Sequence, residues 1–80
     1  NSEILAAWLR LCVRHGHRAA DSRLEEFLLE VGRRKFLEPL YREMAKTPDG
    51  RERALSIYSR ARPRYHAITQ RSLDQTLKSP

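Results

Sequence analysis

The sequence predicts an all-α fold of about five short antiparallel helices, and three observations carry that expectation. Apolar residues recur at three- and four-residue spacing in five successive segments, the signature of helices with one apolar stripe. A glycine, a proline or a polar turn closes each segment. No stretch alternates apolar and polar residues as a half-buried strand would.

In the first segment Ser2-Glu3 can cap a helix, and Leu5, Trp8, Leu9 and Cys12 form its stripe before Gly16 ends it. Ile4, Leu11 and Val13 widen the apolar surface beyond one stripe, so this helix is expected to touch something outside the chain. Ser22-Arg23-Leu24-Glu25 has the capping-box pattern, with Leu24, Phe27, Leu28 and Val31 on one face and Gly32 as the stop; an earlier start at Arg18 to Ala20 is the alternative. Pro39 fits the first turn of a helix and clashes further in, which sets the third helix to begin near Phe36 and carry Leu37, Leu40, Tyr41 and Met44. Thr47-Pro48-Asp49-Gly50 reads either as a plain turn or as an N-cap at Thr47 with Pro48 the first helical residue. Ala54, Leu55, Tyr58 and Ala61 make the fourth stripe, which Pro63 ends. After Arg64-Tyr65-His66-Ala67, Thr69 is the expected cap of a last helix, with Ile68 and Leu73 as a hydrophobic staple and Leu77 completing the face. Stacked helix pairs of this length resemble the layers of an α-α superhelix of the HEAT or armadillo kind; because no residue-level repeat is visible, a compact bundle is the alternative.

Eighty residues make one small domain, 1–80, too short to bury a large share of its surface. With one cysteine, Cys12, no intramolecular disulfide can form, which favours a reducing, cytoplasmic setting. No apolar run has membrane-spanning length and no signal sequence is visible, so no membrane partner is expected. The chain opens on Asn1 rather than methionine, which suggests a fragment of a longer protein. Thirteen arginines and three lysines against ten acids give a net charge of +6. Arginine suits bidentate recognition of carboxylate or phosphate, although most such residues are expected on solvated helix faces.

One cluster stands apart from that background. Gly32-Arg33-Arg34-Lys35-Phe36 sets three cations beside a glycine at the mouth of a helix, where outward-facing amides also favour negative charge. Arg33 and Lys35 sit just before or at the entrance, an anion site in outline. Other chemistry is weaker. Cys12, His15 and His17 lie close together but lack the paired spacing of zinc ligands and an acidic neighbour, so no metal site is assigned. No catalytic motif is present, and Glu25 and Glu26 are adjacent on a helix and point apart. Arg60, Arg62 and Arg64 could meet phosphates, yet Glu38, Glu43, Asp49 and Glu52 interrupt any basic stripe, so no nucleic-acid partner is expected.

Taken in order, Asn1-Ser2-Glu3-Ile4, Trp8-Leu9-Arg10-Leu11-Cys12, Gly32-Arg33-Arg34-Lys35-Phe36, Pro39-Leu40-Tyr41 and His66-x-Ile68-Thr69 resemble the C-terminal helical domain of the leukotriene A(4) hydrolase and aminopeptidase B family of zinc aminopeptidases. The resemblance runs from Asn1 to about Lys78; Ala67 stands where the leukotriene-hydrolase pattern often has proline. It implies a multidomain metallopeptidase whose zinc is held in a separate upstream catalytic domain, with none bound by this fragment, which alone should be inactive. It further implies that this domain packs beside the catalytic domain and that Arg33 and Lys35 hold the free carboxylate of a peptide substrate. Epoxide hydrolase activity, found in some members only, does not follow from this domain. The reading from a different class is a non-enzymatic helical scaffold that binds acidic protein partners through its arginines.

Overall fold

The computed structural model describes residues 2–78; Asn1, Ser79 and Pro80 lie outside the description. Five α-helices follow one another, α1 (Ser2–Arg14), α2 (Asp21–Glu30), α3 (Arg34–Met44), α4 (Pro48–Ala61) and α5 (Ala67–Lys78), with 3-10 turns at Arg18–Ala20 and Arg62–Arg64 and no strand among the described residues.

Side-chain pairings between helices fix their directions. Lys35 reaches Glu3, while Arg10 and Arg14 reach Glu43, so positions early in α1 meet positions early in α3 and late meet late. These two helices therefore run parallel. Asp21 with Arg53 and Glu25 with Arg60 set α2 parallel to α4 in the same way. Across α4 and α5 the order reverses: Arg51 binds the Leu77 carbonyl, whereas Arg62 binds Asp74. α4 and α5 are thus antiparallel, and the packing of α1 on α3, α3 on α5 and α2 on α4 places α1, α3 and α5 in one layer and α2 and α4 in the other. The overall dimensions of 30 × 30 × 18 Å suit two helix layers. This is the layering of an α-α superhelix.

The core lies between the layers, where Leu9, Leu28, Leu37, Leu40, Tyr41, Met44, Ile57 and Leu73 are fully buried. Each helix contributes a stripe, and several elements depart from the sequence expectation for local reasons. A 3-10 turn leads into α2, which starts at Asp21 because Arg18 and Arg53 both grip the Asp21 carboxylate; Ser22 then falls inside the helix and the capping box is not used. The helix closes at Glu30, ahead of Gly32, since Val31 is already extended. Two residues earlier than expected, α3 begins at Arg34, because the Phe36 and Leu37 amides both close onto the Arg33 carbonyl. Pro39 consequently lies inside α3, where it removes the amide that would have bonded the Lys35 carbonyl.

At the start of α4 the capping alternative is the observed one: the Thr47 hydroxyl accepts from the Gly50 amide at 3.1 Å, with Pro48 in the first turn. Gly50 is required by space, since a Cβ there would lie 2.2 Å from the Met44 carbonyl oxygen. The buried face of α4 is Ala54, Ile57, Tyr58 and Ala61; Leu55 falls outside it and is exposed. Starting at Ala67, where a proline would also fit, α5 places Thr69 inside the helix and leaves Ile68 in solvent, so neither the Thr69 cap nor the staple forms. On α1, Leu5, Leu9 and Cys12 face the core, whereas Ile4, Trp8 and Leu11 form a second, exposed face. At the end of that helix Gly16 takes φ +66°, a conformation that strains residues with a Cβ.

Candidate anion-binding site

The mouth of α3 is built on Arg33. Its backbone is extended, its carbonyl accepts from the Phe36 and Leu37 amides at 3.0 and 3.1 Å, and its side chain makes no capping bond. The first turn therefore presents a positive helix pole that no acidic cap offsets.

The Arg33 side chain is exposed, and Arg33 and Arg71 are the arginines without a hydrogen bond or ion pair among the described residues. Its neighbours differ. Arg34 pairs loosely with Glu38 one turn on, at 3.8 Å. Lys35 donates to Glu3 of α1 at 3.1 Å and lies 5.1 Å from the centre of the Phe36 ring. The structure thus sets Arg33 and Lys35 in one exposed first turn, the former unpaired and the latter engaged by α1. A shallow groove between α1 and α3, lined by Ala6, Ala7, Phe36 and Leu40, has Lys35 and Arg10 among its walls.

Most other arginines are committed within the fold. Arg60 pairs with Glu25, Arg62 with Asp74, and Arg64 donates to the Leu29 carbonyl, so the alternating cations near the end of α4 are tied into the two layers. Glu43, buried between α1 and α3, accepts from Arg10 and Arg14 at 3.4 and 3.3 Å and from Lys46 at 3.1 Å. Burial pushes its carboxyl up, but Lys46 and the two arginines outweigh that and hold it below the usual carboxylate range. A larger cleft walled by Cys12, Asp21 and Arg53 shares no residue with the α3 mouth, and its Arg53 and Asp21 pair with each other at 2.5 Å.

Cys12 is buried while His15 and His17 are exposed, and among the described residues no group of three His, Cys, Asp or Glu side chains is placed to hold a metal ion. Glu25 and Glu26 are spoken for by Arg60 and Arg23. No helix of the described residues is long and apolar enough to cross a membrane. The residue that sequence reading missed at the site is Glu3: its pairing with Lys35 spans 32 positions and depends on the parallel packing of α1 on α3, which no local spacing reveals.

Residues 1–77 match the family model described as leukotriene A4 hydrolase, C-terminal. Leukotriene A-4 hydrolase of Xenopus laevis is 36% identical over 70 residues, covering 88% of this chain and 12% of that protein. Leucine aminopeptidase 2 of Neurospora crassa is 34% identical over 77 residues, covering 96% of this chain and 11% of that protein. The chain therefore spans about a tenth of the length of the curated relatives it matches. No solved structure matches it.

Proposed function

Because the chain belongs to the leukotriene A4 hydrolase C-terminal family, we propose that it is the C-terminal helical module of a zinc metallo-aminopeptidase, where it packs beside the catalytic domain and helps hold the free carboxylate of peptide substrates. The relatives' names, a hydrolase and an aminopeptidase, support the reaction class. In this reading the zinc would be held by residues of the parent enzyme outside this module, and the module's own part would be to bind and orient substrate.

The observation that carries the carboxylate role is Arg33. In a fold that pairs nearly all its arginines internally, this one stands unpaired at an uncapped helix mouth, beside Lys35. A guanidinium there can offer two parallel N–H donors to a carboxylate, and the ammonium of Lys35 adds charge. Holding the substrate's C-terminus fixes how far its N-terminal residue reaches toward the catalytic domain. That is positioning, and the bond-making groups lie elsewhere.

The exposed Ile4, Trp8 and Leu11 face of α1 supports packing against another part of the same enzyme, since an apolar stripe of this kind is normally covered. The scaffold reading would need free arginines for acidic partners, and the internal pairing of most of them counts against it.

The test is Arg33→Ala in the full-length enzyme, assayed on a tripeptide with a free carboxylate and on the same tripeptide amidated. We expect a loss of about 1.5–3 kcal/mol, or roughly ten- to a hundred-fold in kcat/KM, on the acid and little change on the amide. Equal losses on both would make Arg33 a structural residue and remove the clamp.

A further inference from the structure

We propose that Glu3 is an internal competitor for Lys35, and that it sets how strongly this module prefers substrates with a free carboxylate. The inference rests on the carboxylate role of Arg33 and Lys35 given above, and deepens it.

Chemically, the Glu3 side chain and the C-terminus of a peptide present the same group. In the structure Glu3 Oε1 accepts from the ammonium of Lys35 at 3.1 Å, the kind of contact a substrate carboxylate oxygen would make there. Lys35 is therefore neutralised at rest while Arg33 is not, and the two cations are not equivalent. A substrate that uses Lys35 meets an ammonium whose charge Glu3 already offsets, and the Glu3 carboxylate stays nearby and repels the incoming one.

Parallel packing makes this contact a built-in feature of the fold. Because α1 and α3 run in the same direction, their first turns lie side by side, with Glu3 on one and Lys35 on the other. The pair is well exposed, at 59% for Lys35 and 68% for Glu3, so it is weak and reversible and cannot lock the lysine in one orientation. A contact of that strength suits a competitor that trims affinity better than a support that positions the lysine. Removing it should improve the apparent binding of a carboxylate by about two- to five-fold, because the Glu3 charge no longer offsets Lys35 or repels the substrate.

The experiment is steady-state kinetics of the full-length enzyme on trialanine and trialanine amide, with Glu3→Gln, Lys35→Met and the double variant. Glu3→Gln is expected to lower KM for trialanine about two- to five-fold, leave kcat unchanged, and leave the amide untouched. In the Lys35→Met background the same substitution should do nothing, and added salt should shrink the effect in the lysine enzyme. An unchanged or raised KM for trialanine in Glu3→Gln, in an enzyme that still prefers acid over amide, overturns the competitor while leaving the clamp intact. If the unsubstituted enzyme does not discriminate acid from amide at all, the clamp falls and the competitor falls with it. A change of equal size on acid and amide would show that Glu3 acts through the fold, which also overturns the proposal.

Discussion

The hydroxyl of Tyr65 donates to the main-chain carbonyl of Leu28, 37 positions earlier in the chain. Leu28 lies in the last turn of α2, whose final carbonyls have no partner within the helix. A side chain from the turn before α5 thus caps α2, and Arg64 does the same for the neighbouring Leu29 carbonyl. Since the single Tyr65 proton is committed to Leu28, the Tyr41 hydroxyl must be the donor in its 3.0 Å bond to Tyr65.

That direction makes the two tyrosines unequal. Tyr65→Phe leaves both a buried carbonyl and the Tyr41 hydroxyl without a partner and should cost about 1–3 kcal/mol. Tyr41→Phe leaves the Tyr65 bond to Leu28 in place and should cost about 0.5–1.5 kcal/mol. Urea denaturation of the two variants checks the order, and a larger loss for Tyr41→Phe would reverse the assignment of donors.

Gly50 offers a sharper steric test. A methyl group there meets the Met44 carbonyl oxygen and the Thr47 hydroxyl, which lies 2.7 Å from the added carbon. The α3–α4 turn must open to admit it, and the opening also disrupts the Thr47 cap. Although alanine is the better helix former, Gly50→Ala is expected to destabilise by about 1–3 kcal/mol in thermal or urea unfolding. A stabilised variant would mean that the turn accommodates the methyl group freely.

Acid should loosen the contacts between helices. Burial raises the Glu43 carboxyl, and Lys46, Arg10 and Arg14 more than offset it; hydrogen bonds from Arg62 and Tyr58 bring Asp74 down to about 2; Arg60 lowers Glu25. All three are depressed in the folded state, so the unfolded chain takes up protons first as pH falls. Their contribution is complete above about pH 4.5, near the ordinary glutamate value, and is lost on acidification through the lowered folded values, that of Asp74 near 2. Midpoints of urea unfolding measured from pH 7 to pH 2 should drop in that window. Glu43→Gln should lower stability at pH 7 by about 1.5–3 kcal/mol and flatten part of the acid slope; an unaltered slope would mean that the Glu43 cluster is not formed.

The helices and most of their buried faces were legible because periodicity, glycines and prolines act locally. Leu9, Leu24, Phe27, Leu37, Leu40, Tyr41, Leu73 and Leu77 are core residues on the faces their spacing predicted. Helix starts were less legible because distant partners decide them: Arg53 of α4 holds Asp21, and with it the beginning of α2. Pro39 misled for a related reason, since two amides closing on the Arg33 carbonyl outweigh the loss of one interior hydrogen bond. At the candidate site, Arg33 and Lys35 could be read from a run of neighbouring residues, whereas Glu3 could not. Its meeting with Lys35 is a product of tertiary packing.

Adjacent positions on α1 separate what this chain needs by itself from what the proposed parent enzyme would need. Leu9 is fully buried against the core, whereas Trp8 is 48% exposed and shares its face with Ile4 and Leu11. In the 80-residue chain Leu9→Ala should cost about 2–5 kcal/mol, and Trp8→Ala about 1 kcal/mol or less. As the only tryptophan of this chain, Trp8 should report a solvated environment, with emission readily quenched by acrylamide. If this face packs on another part of the parent enzyme, the ranking narrows there: Trp8→Ala in the full-length protein should lower the unfolding temperature or speed proteolysis between the domains. A full-length enzyme as tolerant of Trp8→Ala as the isolated chain would leave the α1 face uncovered and remove the main physical support for packing beside the catalytic domain.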